Sequence, residues 1–293
     1  MSKNISVAFD QYIAGDIAKY AGVAMPVKAG FLNRVLVKKA PCTILHPNPD
    51  DEFSIPTVGP SYRIISEYEK KYIYNSNHSM DYFDGEDPIM VEKIRPDGYM
   101  ILNGHHRWAA ALKLGYAKIP VQVINVTHNQ EIKDIINNSK HDKRVTLDLD
   151  EVVFYNPNNG PAEKDLPFPF NKLYKDKLRL GIPALFNMLN KDGYDIWLYS
   201  SKFYSKEYLR ALFKKYHVHV TGIVTGTSKR KQSEEEKNEM QNLYASKYLF
   251  TLHIDNDAVL MIDNVRKDFQ DFTIDEGVNW SKSVMDIIKE IDA

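Results

Sequence analysis

Apolar and polar positions alternate in short runs broken by turn residues, and their order predicts the elements. From Asp87 to Val126 the pattern reads strand, tight turn, strand, helix, strand. Pro88-Ile89-Met90-Val91 is an apolar run, Pro96-Asp97-Gly98 supplies a turn, and Tyr99-Met100-Ile101-Leu102 returns as a second strand. Over 105–114, Trp108, Ala109, Ala111, Leu112 and Leu114 gather on one helical face, and Gly115 stands where glycine ends helices. Residues 119–124 read as a further strand, and 128–143 as a polar helix running into an Asn-Ser-Lys-His break. The first 80 residues are the least regular, with a helix predicted over 64–74.

The second half alternates strands and helices. Strands are predicted at 144–147, 195–199, 220–224, 249–254 and 258–262, and helices at 173–189, with a break near Gly181-Ile182-Pro183, and at 206–216. Ser233-Glu234-Glu235-Glu236 has the spacing of a capping box and opens a charged helix to about Tyr248. This alternation predicts an α/β domain with a parallel sheet wound on both faces. The joint between the halves is expected at 139–142, which gives domains 1–140 and 141–293. No internal repeat is visible.

Composition narrows the class. A chain of 293 residues with 43% hydrophobic and 26% charged residues is long enough for two cores and is neither disordered nor collagen-like. No apolar stretch reaches the roughly 18 residues of a membrane span, and the first residues do not read as a secretion signal, so no membrane partner and a cytoplasmic location are expected. Lys+Arg total 38 against Asp+Glu 39, and neither half is strongly basic. Binding of nucleic acid by bulk charge is therefore not expected. The single cysteine, Cys42, excludes an intrachain disulfide and a cysteine-cluster metal site.

Candidate chemistry in the second half centres on carboxylates. Asp148-Leu149-Asp150 follows a predicted strand, at the edge where open parallel sheets bind ligands, and two carboxylates so close need a cation or a shared proton. An acidic turn would account for that dipeptide spacing alone. Three further pieces follow in order: Ser200 after one strand, Lys229 with Arg230 and Lys231 after the next, and Asp255 with Asp257 after a third.

With Asp148-Leu149-Asp150-Glu151-Val152 as its first motif, the stretch 143–276 resembles the haloacid dehalogenase-like (HAD) phosphohydrolase superfamily. The resemblance implies a Rossmannoid parallel-sheet domain with a minimal cap. Asp148 would be the nucleophile and Asp150 the acid that protonates the leaving oxygen. Ser200 would hydrogen-bond the phosphoryl group and Lys229 would stabilise its charge. Mg²⁺ would be held among Asp148, Asp150, Asp255 and Asp257. Asp263 can take the role of Asp255 and Asp257, and Lys231 that of Lys229. Glu151 stands where many members carry glycine, and only Asp255-Asn256-Asp257 separate two strands where a crossover helix is expected.

In the first half, Asn103-Gly104-His105-His106-Arg107 lies between a strand and a helix, where free N–H groups, the helix dipole and a guanidinium can meet an anion. A capped helix with surface histidines would also fit this turn. The longer string from Asp87 through Gly98–Ala111 to Gly115 and Ile119-Pro120-Val121 resembles the ParB/sulfiredoxin-like domain, an α+β fold, in a form closest to its serine-kinase-like, ATP-binding branch. That resemblance implies ATP or another nucleotide at Gly104, His105, His106 and Arg107, with a base among Glu67, Glu69, Glu86 and Asp87. Sulfiredoxin chemistry needs a cysteine in the turn, which holds His105 and His106 instead.

The reading that results is a Mg²⁺-dependent phosphohydrolase acting through an aspartyl-phosphate on a phosphorylated small molecule or macromolecular end, joined to an ATP-binding domain with kinase potential. The rival is a regulatory nucleotide- or DNA-associated protein whose HAD-like half is a non-catalytic scaffold.

Overall fold

A computed structural model describes residues 2–229, 233–274 and 279–293. The chain forms two compact units that part between Val126 and Thr127.

The first unit runs α1 (Ser2–Tyr20), β1 (Met25–Pro26), α2 (Phe31–Val35), β2 (Lys38–Pro41), β3 (Leu45–Pro47), α3 (Tyr62–Asn77), β4 (Ile89–Arg95), β5 (Tyr99–Asn103), α4 (His105–Lys113) and β6 (Lys118–Val123). Its sheet has the order β2-β6-β4-β5-β3, with β1 beside β4. The turn through Pro96-Asp97-Gly98 makes β4 and β5 antiparallel, and β3 lies parallel to β5. Gly98 takes φ 75°, the left-handed conformation that this tight turn needs. Ala109, Ala110 and Ala111 are fully buried in α4, where small side chains let a helix approach its neighbours closely. Trp108 is buried beside them and donates its indole N–H to the Cys42 carbonyl at 2.9 Å.

The second unit runs α5 (Asn129–Asn138), β7 (Lys143–Asp148), α6 (Phe170–Leu173), α7 (Ile182–Lys191), β8 (Tyr194–Tyr199), α8 (Lys206–Lys215), β9 (Gly222–Val224), α9 (Glu234–Lys247), β10 (Phe250–Ile254), β11 (Ala258–Asp263), β12 (Asp268–Thr273) and α10 (Trp280–Ile291). The sheet order is β12-β11-β10-β7-β8-β9, in which β10, β7, β8 and β9 are parallel. Both faces of the parallel part are covered. Ile196 and Leu198 enter one core with Leu185, Val284 and Ile288, while Trp197 between them enters another with Ile132, Ile136 and Met240. The two-residue period of a strand sends alternate side chains to opposite layers, which is why β8 reads as an unbroken apolar run. The capping box at Ser233 and Glu236 forms as its spacing predicts.

Four features depart from the sequence reading. The helix expected over 173–189 begins only at Ile182, because 174–181 is not helical after α6 ends at Leu173: Gly181, at φ 87°, closes that stretch, and Pro183 lies in the first turn of α7, where its missing N–H costs nothing. The three residues between the strands at 249–254 and 258–262 permit only a hairpin, so β11 runs antiparallel to β10 and no crossover exists. The joint expected at 139–142 falls inside the second unit, because Ile132 and Ile136 bury the apolar face of α5 there. Helices α1 and α10 and strand β12 were not anticipated.

Candidate functional sites

In the first unit the chain leaves β5 at Asn103 and enters α4 through Gly104, which adopts φ 99° and ψ 22°. The Arg107 side chain folds back over this glycine. It is 9% exposed, donates through Nη1 to the Asp87 carbonyl, and stands 3.9 Å from the Glu86 carboxylate, which Lys71 also pairs. His105 Nε2 accepts the Asn48 N–H at 3.2 Å, and His106 Nε2 accepts the Ser61 N–H at 3.1 Å. Phe53 packs against both imidazoles. A cavity of about 340 Å³ opens here, lined by the Asn103–Arg107 turn with Asp51, Glu52, Tyr68, Glu86 and Asp87.

This geometry sorts the upstream acids. Glu67 pairs with Arg63 and Glu69 with Lys113, and neither lines the cavity. Glu86 and Asp87 do, and so do Asp51 and Glu52, which sequence reasoning missed. The available signal was Asp51 before a short helical turn: its Oδ1 accepts the Phe53 N–H at 2.9 Å as an N-cap. Among the described residues the Glu52 and Asp87 carboxylates carry no hydrogen bond or ion pair. Cys42 lies buried away from the turn, and burial pushes its thiol up to about 11, as fits a structural residue.

In the second unit Asp148 ends β7, and its Oδ1 accepts the N–H groups of Asp150 and Glu151, each at 2.8 Å. The chain then makes one π-helical turn over Leu149–Val153. That turn aims Asp150 at buried Ser200, whose hydroxyl donates to Oδ2, and at Tyr204, whose hydroxyl donates to Oδ1 at 2.7 Å. Lys202 places its ammonium 3.0 Å from Oδ1. Burial raises the Asp150 carboxyl, but the Ser200, Tyr204 and Lys202 contacts outweigh it and leave the group below the usual carboxylate range. Burial, together with Asp150, pushes the Tyr204 hydroxyl up. The Glu151 side chain is exposed.

Register locates the remaining acids. Ile254 pairs with Leu147, so Asp255 follows β10 at the level where Asp148 ends β7. Asp257 lies in the β10–β11 turn, where its carbonyl accepts the Ile274 N–H. Asp263 pairs with Phe250, which pairs with Lys143, so it sits at the opposite end of the sheet, on the order of 16 Å from the Asp148 edge. It cannot replace Asp255. No three His, Cys, Asp or Glu side chains among the described residues converge as a metal cage. Asp150 already has three partners, Ser200, Tyr204 and Lys202. Lys229 closes the turn Thr227–Lys229, which Thr227 fastens to the Ser200 carbonyl at 3.1 Å. Its side chain lies outside the described residues, as do Arg230 and Lys231. Lys202, two residues past Ser200, is a cation that sequence reasoning missed.

Comparison with known proteins finds similarity in the first unit. The family model described as the ParB N-terminal domain matches residues 57–139, a stretch that includes the Gly104 turn. An ATP-dependent L-serine kinase of Desulfurococcus mucosus is 49% identical over 47 residues, 16% of this chain and 18% of that protein. The same kinase of Staphylothermus marinus is 49% identical over 39 residues, 13% of this chain and 16% of that protein. The chain thus spans less than a fifth of these curated relatives. Among solved structures, the C-terminally truncated chromosome-partitioning protein ParB of Caulobacter crescentus complexed with CTP-γ-S is 26% identical, with a TM-score of 0.24 over 35% of this chain and 52% of that one. The same protein complexed to the centromeric parS site is 22% identical, with a TM-score of 0.23 over 35% of this chain and 49% of that one. No helix among the described residues is long and apolar enough to cross a membrane. By the family-model match, residues 57–139 form a ParB-like N-terminal domain.

Proposed function

We propose that the first unit binds the phosphate chain of a nucleoside triphosphate, ATP above all, over the Gly104 turn and transfers its terminal phosphoryl group to a hydroxyl acceptor. The observation that carries this reading is the left-handed Gly104 turn with the Arg107 guanidinium folded against it, at a cavity that also presents the uncommitted carboxylates of Glu52 and Asp87. The short kinase similarity supports it. In the transfer the acceptor oxygen bonds to the γ-phosphorus, the bond from that phosphorus to the β,γ-bridging oxygen breaks, and ADP leaves. Glu52 or Asp87 takes the hydroxyl proton. Arg107 holds the phosphate oxygens, and the helix start adds its dipole. Mg²⁺ arriving with the nucleotide would offset the acids facing it. ATP titration and phosphoserine formation from ATP and L-serine test this. Arg107→Ala should weaken ATP binding by about tenfold or more, and unchanged affinity would remove the cradle.

A second reading concerns the second unit: hydrolysis of a phosphorylated substrate through an aspartyl-phosphate on Asp148. It is favoured by the position of Asp148 at the carboxyl end of a central parallel strand, with two backbone N–H groups fixing one oxygen. Asp148 and Asp255 suit Mg²⁺, which keeps most of its waters and takes one or two carboxylates besides a phosphate. The ion would offset charge on the phosphoryl oxygens. Ser200 and Lys202 border the same edge, and Asp150 would serve the leaving oxygen. With Mg²⁺ and an aryl phosphate, Asp148→Asn should abolish turnover. Equal and negligible turnover in both proteins would leave the second unit as a scaffold and favour the regulatory, DNA-associated alternative.

A further inference from the structure

We propose that His105 and His106 are positioning residues: they clasp the acid-bearing segment 48–61 onto the start of α4 and do not hold the phosphate. The consequence for turnover rests on the phosphotransfer reading above, whereas the clasp itself can be tested without it.

A backbone N–H can only donate, so the imidazole nitrogen that faces it must offer a lone pair. His105 Nε2 faces the N–H of Asn48, and His106 Nε2 faces that of Ser61. Each ring is therefore the Nδ1–H tautomer, and neither Nε2 can donate to a phosphate oxygen. His105 Nδ1 stands 3.6 Å from Asp51 Oδ1, an atom that also receives the Phe53 N–H.

The two contacts grip opposite ends of one segment. Consecutive helical residues diverge by about 100° around the axis, so a histidine pair at a helix start can reach two separated strands of chain. Between the ends the segment closes on itself. A Cβ on Gly59 would lie 2.6 Å from the Glu52 carbonyl oxygen, so the backbone at 59 rests directly on the backbone at 52–53. Phe53 fills the space beneath, its ring centroid 5.4 Å from that of His105 and 5.1 Å from that of His106. Glu52 is thus flanked by two anchored neighbours, and its carboxylate lines the same cavity as Gly104 and Arg107. The helix that presents the phosphate turn also fixes the position of the acid.

Three variants test the clasp in the full chain. His106→Leu keeps approximate size but loses the acceptor, whereas His106→Gln can still accept through its amide oxygen. Ser61→Pro removes the N–H donor along with a hydroxyl that makes no cap hydrogen bond, and the Ser61 φ of −78° already suits proline. Three quantities are read: hydrogen exchange across 48–61, ATP affinity, and transfer from ATP to L-serine. The expected result is faster exchange in 48–61 by about tenfold in His106→Leu and Ser61→Pro. ATP affinity should stay within about twofold and turnover should fall by about 100-fold, the cost of a misplaced acid. His106→Gln should restore most of both. Unchanged exchange, or a loss of ATP affinity as large as that of Arg107→Ala, would overturn the proposal. Wild-type protein that transfers nothing would defeat the phosphotransfer reading, while the exchange data would still decide the clasp.

Discussion

A Cβ built on Gly104 would lie 3.0 Å from Nη2 of Arg107, so the glycine and the guanidinium occupy one site jointly. The backbone at Gly104 is also left-handed, a conformation that side chains with a Cβ adopt at a cost. Gly104→Ala therefore meets two penalties at once. It should destabilise the protein by about 1–2 kcal/mol and displace Arg107, lowering ATP affinity by about tenfold. Thermal unfolding and ATP titration check the two effects separately.

The parallel sheet of the second unit depends on another close approach. Gly222 pairs with Trp197 across β8 and β9, and a Cβ there would fall 2.2 Å from the indole ring. Trp197 is fully buried and has no room to retreat. Gly222→Ala should cost about 3 kcal/mol through overpacking. Adding Trp197→Phe should recover part of the loss, because the smaller ring vacates the contested volume. Urea unfolding of the single and double variants gives the comparison.

Asp81 offers a pH test on a residue that belongs to neither candidate site. The Phe83 N–H, and after it the Lys39 ammonium, hold its carboxyl below the usual range. A carboxyl depressed in the folded state contributes stability above its unfolded pKa of about 4, and that contribution is lost as pH falls through the folded value. Asp81→Asn should thus be the less stable protein at pH 7, and its difference from wild type should close below about pH 4. Denaturant midpoints at pH 7 and pH 3 measure it. A gap that stays constant would show that charge is not the cause.

Much of this protein is legible from local pattern. The strand–turn–strand–helix–strand run around Gly104, the helix stop at Gly115, the capping box at Ser233 and the acidic strand end at Asp148 all follow from residues close in sequence. Periodicity and turn chemistry act over a few residues, so these features need no knowledge of distant chain. The first 80 residues resisted because their strands are two to four residues long, too short to show a period. Asp51 and Glu52 were lost with them.

Sequence alone thus determined where the two candidate turns lie and which residue types they present. Only the tertiary structure decided which partners those residues keep. Strand register carried Asp263 to the far end of the sheet and Asp255 to the near one. The turn after Asp148 gave Asp150 to Ser200, Tyr204 and Lys202, and the segment before α3 took the histidine lone pairs. These outcomes depend on contacts between residues dozens of positions apart, which form only when whole elements have packed and fixed their register.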